Sequence, residues 1–337
     1  MPRPLVTELP PRAPAEHLFP EPPEAALEWA KQVPAELRRT SAPPLPALDE
    51  AALREHFSAL AAVSQPPWPG AAAAARAAAL PGLSALHPWQ PPPTYQGALE
   101  VLHEVARALA ALTGLDRFSL QPACLEDAER AAVRLARASA ARTQPQRNRV
   151  LAPPGSPALS HARDLGLVPQ ALGRLPSGDL DIEALAAAVG PPTLLVVANW
   201  LTPAGAFDRA LAAAGHVAHA HGALFGVDAT GLARLAGHTR LREADADIVW
   251  LSLAELAPAA TSAALGVRAP LTDCLPTPLV GKERRGYGLD SELHNTIGPL
   301  SFGPARLADA LLAYVALRTL GTEGLRSRAE ALARSRQ

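Results

Sequence analysis

Apolar and polar positions alternate along most of the chain with the spacings of helices and strands. Leu99, Leu102 and Leu109 lie on one stripe of a helical pattern, and Gly114 follows as a stop signal. Beyond this helix the pattern predicts strands at 117–120, 149–152, near 168, 193–198, 223–227 and 248–253. It predicts helices at about 126–141, 157–165, 181–189, 207–220 and 304–320, and a possible antiparallel strand at Ala263–Val267.

Short apolar strands separated by amphipathic helices are typical of an α/β fold with a mostly parallel sheet flanked by helices. In such sheets, ligands bind beyond the carboxyl ends of the strands. Asp228 closes one predicted strand, and Asn199 directly follows another. We therefore expect a ligand site, if the protein has one, at this edge of the sheet.

The distribution of proline and arginine divides the chain into four parts. Residues 1–48 are rich in proline and are predicted to form an extended arm. Residues 49–114 form a helical segment, with a helix at about 49–63 that begins at Asp49. Residues 115–325 form the large α/β domain, and residues 326–337 form an arginine-rich tail.

The composition excludes several classes of function. The chain has 337 residues, of which 48% are hydrophobic and 19% charged, and its net charge is −1, which excludes a disordered chain and a broadly basic nucleic-acid binder. Two distant cysteines suggest neither disulfides nor a zinc site. With no membrane-length apolar run and no signal-peptide pattern, we expect a cytoplasmic protein. Only Lys31 and Lys282 could supply a Schiff-base amine.

Several motifs resemble the second subunit, or C-terminal half, of the glycine cleavage system P-protein. They are Leu86-His87-Pro88-Trp89-Gln90-Pro91, Gln96-Gly97-Ala98-Leu99-Glu100 and Leu120-Gln121-Pro122-Ala123, and the likeness covers nearly the whole chain. The resemblance implies the type I fold of pyridoxal phosphate (PLP) transferases, glycine decarboxylation, and an oligomer with P-protein subunit 1, an intact P-protein or a second copy. That subunit continues past the equivalent of Gln337, so we expect its small C-terminal domain to be absent here.

The resemblance places the Schiff-base lysine of the family at Glu255, and the histidine before it at Ala254. A carboxylate cannot form an imine. Lys282 lies in a polar segment where the family has ordinary surface charges, so we interpret it as a solvated loop lysine. Lys31 belongs to the proline-rich arm. The sequence therefore predicts that PLP is not bound as in the family.

Other parts of the family's cofactor site are also altered. Asp127 stands at the position of the histidine that stacks on the PLP ring, and we interpret it as complementing the dipole of its helix. A His-Gly-Thr-Asn-Pro stretch is replaced by residues 154–158, with His161 interpreted as a surface histidine. Asp228 matches the aspartate that pairs with the pyridine nitrogen, and Asn199 is retained. These two residues are the candidate cofactor contacts.

Two further signals have plainer interpretations. His216, His219 and His221 could suggest a metal, but no carboxylate or cysteine joins them in the sequence, so we expect a solvated helix end and no metal. Cys124 at a helix N-terminus could be a nucleophile, but without a paired base we expect a small packing residue.

The leading hypothesis is a non-catalytic relative of the P-protein subunit that retains the fold and acts by binding, with no nucleic-acid or membrane partner. One alternative is a glycine decarboxylase subunit whose active site is completed by another chain. Another is changed chemistry that uses Glu255 and Asp228 as acid and base. A relic without a present role is also left open.

Overall fold

The computed structural model describes residues 51, 71–84, 86–87, 90–141, 143–234, 236, 238 and 240–334. Except for Ala51, these fall in one compact unit, residues 66–337. The predicted arm at 1–48, Lys31 and nearly all of the predicted helix at 49–63 lie outside the described residues.

A helical segment precedes the sheet. It contains α1 (Ala71–Ala78), α2 (Pro81–Ser84), a 3-10 turn (Pro92–Thr94) and α3 (Gln96–Thr113). Gly114 ends α3 with φ 80°, and its N–H donates to the carbonyl of Ala110 at 2.8 Å. Glycine adopts this left-handed conformation without steric cost, so the stop predicted from the spacing is confirmed.

Strands and helices then alternate. The strands are β1 (Arg117–Ser119), β2 (Arg149–Ala152), β3 (Val168–Ala171), β4 (Thr193–Asn199), β5 (Leu224–Asp228), β6 (Ile248–Ser252), β7 (Ala263–Val267), β8 (Leu279–Glu283) and β9 (Gly286–Asp290). The helices are α4 (Leu125–Ala140), α5 (Pro157–Asp164), α6 (Ile182–Ala188), α7 (Leu211–Ala220) and α8 (Leu307–Arg334).

Seven of these strands form one sheet in the order β1-β7-β6-β5-β4-β2-β3. The neighbours from β3 to β6 pair in parallel, and only β7 runs against the other strands. The predicted mostly parallel α/β sheet and the antiparallel partner at Ala263–Val267 are thus confirmed. The other two strands, β8 and β9, form a separate hairpin.

Apolar side chains cover both faces of the sheet. Successive residues of a strand point to opposite faces and so join different apolar clusters. On β4, Val196 and Ala198 join one apolar cluster, whereas Leu195 and Val197 join the other. Gly226 on β5 makes room for Trp250, since a Cβ at position 226 would lie 3.1 Å from the indole ring. The strand order and parallel pairing place the ends of β4, β5 and β6 side by side.

Two helices differ from the sequence prediction. Helix α7 begins at Leu211 rather than near 207, because Asp208 there accepts hydrogen bonds from the backbone N–H groups of Leu180 and Ala210. Helix α8 continues to Arg334, but Gly321, at φ 59° and ψ −171°, is not helical, so a break between two helical stretches lies where the end of the helix was predicted. Within the described part of the chain, no helix combines the length and apolar character needed to cross a membrane.

Candidate functional site

A cavity of about 510 Å³ lies beyond the carboxyl ends of β4, β5 and β6. It is lined by Asn199, Leu201, Thr202, Pro203, Gly205, Asp228, Thr230, Gly231, Ala233, Arg234, Ala254, Glu255, Arg328 and Leu332. The structure therefore brings together all three candidate residues of the sequence analysis, at the predicted edge of the sheet. Because these parallel strands end at the same edge of the sheet, the proximity of the three residues follows directly from the fold.

Asp228, the last residue of β5, is held by local donors. One oxygen accepts hydrogen bonds from the backbone N–H and the hydroxyl of Thr230, at 2.9 and 2.6 Å, and the other accepts from the amide of Asn199 at 3.3 Å. Burial raises the pKa of Asp228, and these hydrogen bonds offset part of the rise. The carboxyl group is thus ordered and desolvated.

Behind Asn199, a buried ion pair fixes the orientation of its amide. Arg174 donates to the carbonyl oxygen of the Asn199 side chain at 2.6 Å and to the carboxylate of Asp208 at 3.3 Å. Because Arg174 has only donors, the amide nitrogen of Asn199 must face Asp228. The contact between Asn199 and Asp228 is therefore set by an arginine that the sequence analysis did not identify.

Glu255 follows β6 in a 3-10 turn (Leu253–Glu255), so a carboxylate stands where the resemblance places the lysine. Its two oxygens accept hydrogen bonds from the backbone N–H groups of Gly231 and Ala233, at 2.9 and 3.3 Å. These contacts tie the end of β6 to the turn that follows β5. The carboxylate of Glu255 therefore has hydrogen-bond partners within the protein at this position.

The residues of this cavity do not fit PLP held as an aldimine. No lysine is among the described residues that line it. Lys282 is exposed, as expected, but it lies in strand β8 of the hairpin rather than in a loop. An imine to the cofactor needs a primary amine, and the described part of the cavity provides carboxylates and guanidinium groups instead.

The amino end of α4 also differs from a phosphate site. Glu126 and Asp127 occupy its first turn, and Asp127 is half-buried. Both carboxylates complement the positive end of the helix dipole and would repel an anion. Cys124 precedes the helix as its N-cap residue but is exposed, so the expected packing role is wrong.

Glu129 is a buried carboxyl group that the sequence analysis missed. It is 4% exposed and accepts hydrogen bonds from the hydroxyl of Ser156 at 3.1 Å and the N–H of Ala158 at 2.9 Å. Burial, reinforced by the charge of Asp228, raises its pKa to about 7. Its helical spacing from Ala132 and Ala136, which are also buried, was the signal that could have identified it.

The structure corrects two histidine interpretations. His161 is buried rather than on the surface, and burial lowers its pKa. The end of α7 is largely solvated as expected, with the His216 side chain 74% exposed, but His216 and His219 do have carboxylate partners, Asp245 at 3.0 Å and Asp247 at 2.7 Å. The sequence did not reveal these contacts because a separate segment supplies both aspartates. Among the described residues, no three His, Cys, Asp or Glu side chains cluster as metal ligands.

Solved structures of other proteins share this fold. A glycine decarboxylase (P-protein) of the glycine cleavage system, solved with an inhibitor, matches with a TM-score of 0.65 and 24% identity, over 89% of this chain and 74% of that one. Oryza sativa TDC, solved with PLP and tryptamine, matches with a TM-score of 0.61 and 18% identity, over 86% and 68% of the two chains. The PLP-transferase fold implied by the resemblance is thus confirmed.

Sequence comparison assigns the family. No family model matches the chain. A protein of Methylococcus capsulatus named probable glycine dehydrogenase (decarboxylating) subunit 2 is 30% identical over 339 residues, which cover 93% of this chain and 68% of that protein. The chain spans about two thirds of the length of the curated relatives it matches. At this identity and coverage, the chain belongs to the family of glycine dehydrogenase (decarboxylating) subunit 2.

Proposed function

We propose that this chain is a non-catalytic, P-protein-like subunit that binds another polypeptide of the glycine cleavage system. The observation that carries the proposal is that Glu255, which the resemblance aligns with the Schiff-base lysine, is bonded to two backbone N–H groups. An aldimine enzyme needs an amine at this point, and neither Glu255 nor any other described lining residue supplies one.

The alterations around the cavity support the same conclusion. Two carboxylates, Glu126 and Asp127, stand in the first turn of α4, where the resemblance places the phosphate site of the family. Both disfavour an anionic cofactor electrostatically. The sheet and its apolar core are nevertheless complete, which is the pattern expected of a chain retained for binding rather than chemistry.

The partner is proposed from the relatives, which are named as subunit 2 of glycine dehydrogenase. That name implies another subunit, so we propose that this chain associates with P-protein subunit 1, an intact P-protein or a second copy of itself. Co-expression with subunit 1 tests this, and we expect the two chains to co-purify and to elute together in size-exclusion chromatography.

A second candidate is a working glycine decarboxylase subunit completed by another chain. The retained pair of Asp228 and Asn199 at the cavity favours it, because Asp228 matches the residue that pairs with the pyridine nitrogen. This candidate requires glycine–bicarbonate exchange by the co-expressed complex, with a loss of exchange in Asp228→Asn. The leading proposal predicts no exchange that depends on this chain.

PLP binding by the chain alone tests the non-catalytic proposal directly. The purified chain is incubated with excess PLP, reduced with borohydride and digested for mass spectrometry. We expect no visible aldimine absorbance and no saturable pyridoxyl adduct. Lys282→Arg shows whether any adduct lies on this exposed lysine. A stoichiometric adduct that forms at low PLP concentration and disappears in Lys282→Arg would overturn the non-catalytic proposal.

A further inference from the structure

The cavity beyond β4, β5 and β6 contains two arginines that no proposed function has used. Arg234 and Arg328 both line it, and both are half-buried. Arg234 donates to the backbone carbonyl of Gly205 at 3.3 Å, and Arg328 donates to that of Leu256 at 2.9 Å. Neither forms an ion pair with a carboxylate of the described residues.

The two carboxylates of the cavity are engaged elsewhere. Both oxygens of Asp228 accept hydrogen bonds from Thr230 and Asn199, and both oxygens of Glu255 accept from backbone N–H groups. Each guanidinium carries five N–H donors in a planar fork. Two partly desolvated cations therefore face one cavity with most of their donors available.

Partial burial of a charge without a counter-charge is unfavourable, so an anion in the cavity would stabilise both arginines. Carboxylates and phosphates match the guanidinium fork through paired, charge-assisted hydrogen bonds. The hydroxyl of Thr202 adds another unsatisfied group on the wall, since this residue is 5% exposed and its oxygen has no partner among the described residues.

The rest of the wall indicates the body of the ligand. Leu201, Pro203, Ala254 and Leu332 provide apolar surface, and about 510 Å³ is within the usual range for small-molecule sites. These apolar residues cover part of a wall that is otherwise mostly polar, and they give the carbon skeleton of an organic anion a contact surface that an inorganic anion would not use.

We propose that the cavity binds a small organic carboxylate non-covalently through Arg234 and Arg328. The inference rests on the proposed function in one respect, because a cavity without an aldimine is available to another ligand. It goes beyond that function by giving the chain a small-molecule ligand, whose occupancy would tie the α8 arginine, Arg328, to the turn after β5 that carries Arg234.

Isothermal titration calorimetry of the full chain tests the proposal, with succinate, propionate and inorganic phosphate as probes and sodium chloride at matched ionic strength as the reference. We expect saturable binding of at least one of the two carboxylates. Arg234→Gln and Arg328→Gln should each weaken that binding about tenfold or more, because each loses a charge-assisted partner.

Arg326→Gln is the matched control, since Arg326 lies on the same helix as Arg328 but is not part of the cavity wall, and its side chain is 54% exposed. We expect it to leave the affinity unchanged. Arg328→Lys keeps the charge and loses the fork, so it should fall between Arg328→Gln and the unmodified chain. Circular dichroism of each variant checks that the fold is retained.

Three results would overturn the proposal: no saturable binding of either carboxylate to the unmodified chain, binding of phosphate alone, or carboxylate binding that persists in the folded Arg234→Gln and Arg328→Gln variants. A failure here is distinct from a failure of the proposed function. The latter requires a borohydride-stable PLP adduct, whereas this inference can fail with no such adduct present.

Discussion

Glu129 makes the stability of this protein depend on pH. The direction is opposite to that of a carboxylate whose pKa is lowered by folding. Its pKa rises from 4.5 to about 7 in the folded chain, first because of burial and second because of the charge of Asp228. The folded state therefore binds a proton that the unfolded state has released. Between these two pKa values, the free energy of unfolding falls as the pH rises.

The size of the effect follows from the two pKa values. One pKa unit corresponds to 1.36 kcal/mol, so a rise from 4.5 to about 7 corresponds to about 3 kcal/mol of lost stability above neutral pH. Glu129→Gln removes the ionisation and keeps an acceptor oxygen for Ser156 and Ala158, both of which donate to the same oxygen of Glu129. We expect the variant to exceed the parent by under about 1 kcal/mol near pH 5 and by about 3 kcal/mol near pH 8.

Urea denaturation followed by tryptophan fluorescence at about pH 5, 6, 7 and 8 measures this difference. Titrating groups that do not interact with Glu129 are common to both proteins and cancel in the comparison. Glu126→Gln is the control, because Glu126 lies one turn earlier on α4 with a side chain that is 63% exposed. It should shift stability by less than about 0.5 kcal/mol at every pH. Parallel stability curves for the parent and Glu129→Gln would refute the reasoning.

Two further predictions concern the packing around the site. Arg174→Met leaves the buried carboxylate of Asp208 without its cation and should cost about 3 kcal/mol. Arg107→Met breaks a pair whose Arg107 and Glu104 side chains are 66% and 26% exposed, and it should cost far less. Equal losses in chemical denaturation would contradict this assignment. Gly215→Ala drives a Cβ into a backbone carbonyl and should lower the melting temperature, whereas Gly97→Ala meets open space on α3 and should raise it slightly. Differential scanning calorimetry distinguishes the two, and a raised melting temperature for Gly215→Ala would show that the close approach is wrong.

The strands of the sheet were predictable because their signals are local. Each buried strand is a short apolar run, and the helices between them carry one apolar stripe. The proximity of Asn199 and Asp228 was also predictable, because each ends a parallel strand and the ends of parallel strands lie at the same edge of the sheet. The start of α7 was not predictable from the sequence, because Asp208 accepts a hydrogen bond from the backbone N–H of Leu180, which is distant in sequence.

Buried charges were the hardest feature to predict. Glu129 is one acidic residue among three near the start of α4, and only the packing of that helix against α5 and the sheet makes it buried while Glu126 stays exposed. The partners of His216 and His219 come from a separate segment, so inspection of the histidines alone suggested an unaccompanied cluster.

The amino-acid sequence by itself determined the α/β architecture and the presence of a carboxylate at position 255, because periodicity and residue identity are properties of the chain before it folds. Only the tertiary structure decided that Glu255 bonds to the turn after β5, that Glu129 is desolvated, and that Arg234 and Arg328 face one cavity. The physical reason is that desolvation and long-range contacts depend on which surfaces pack together, and no local pattern encodes that packing.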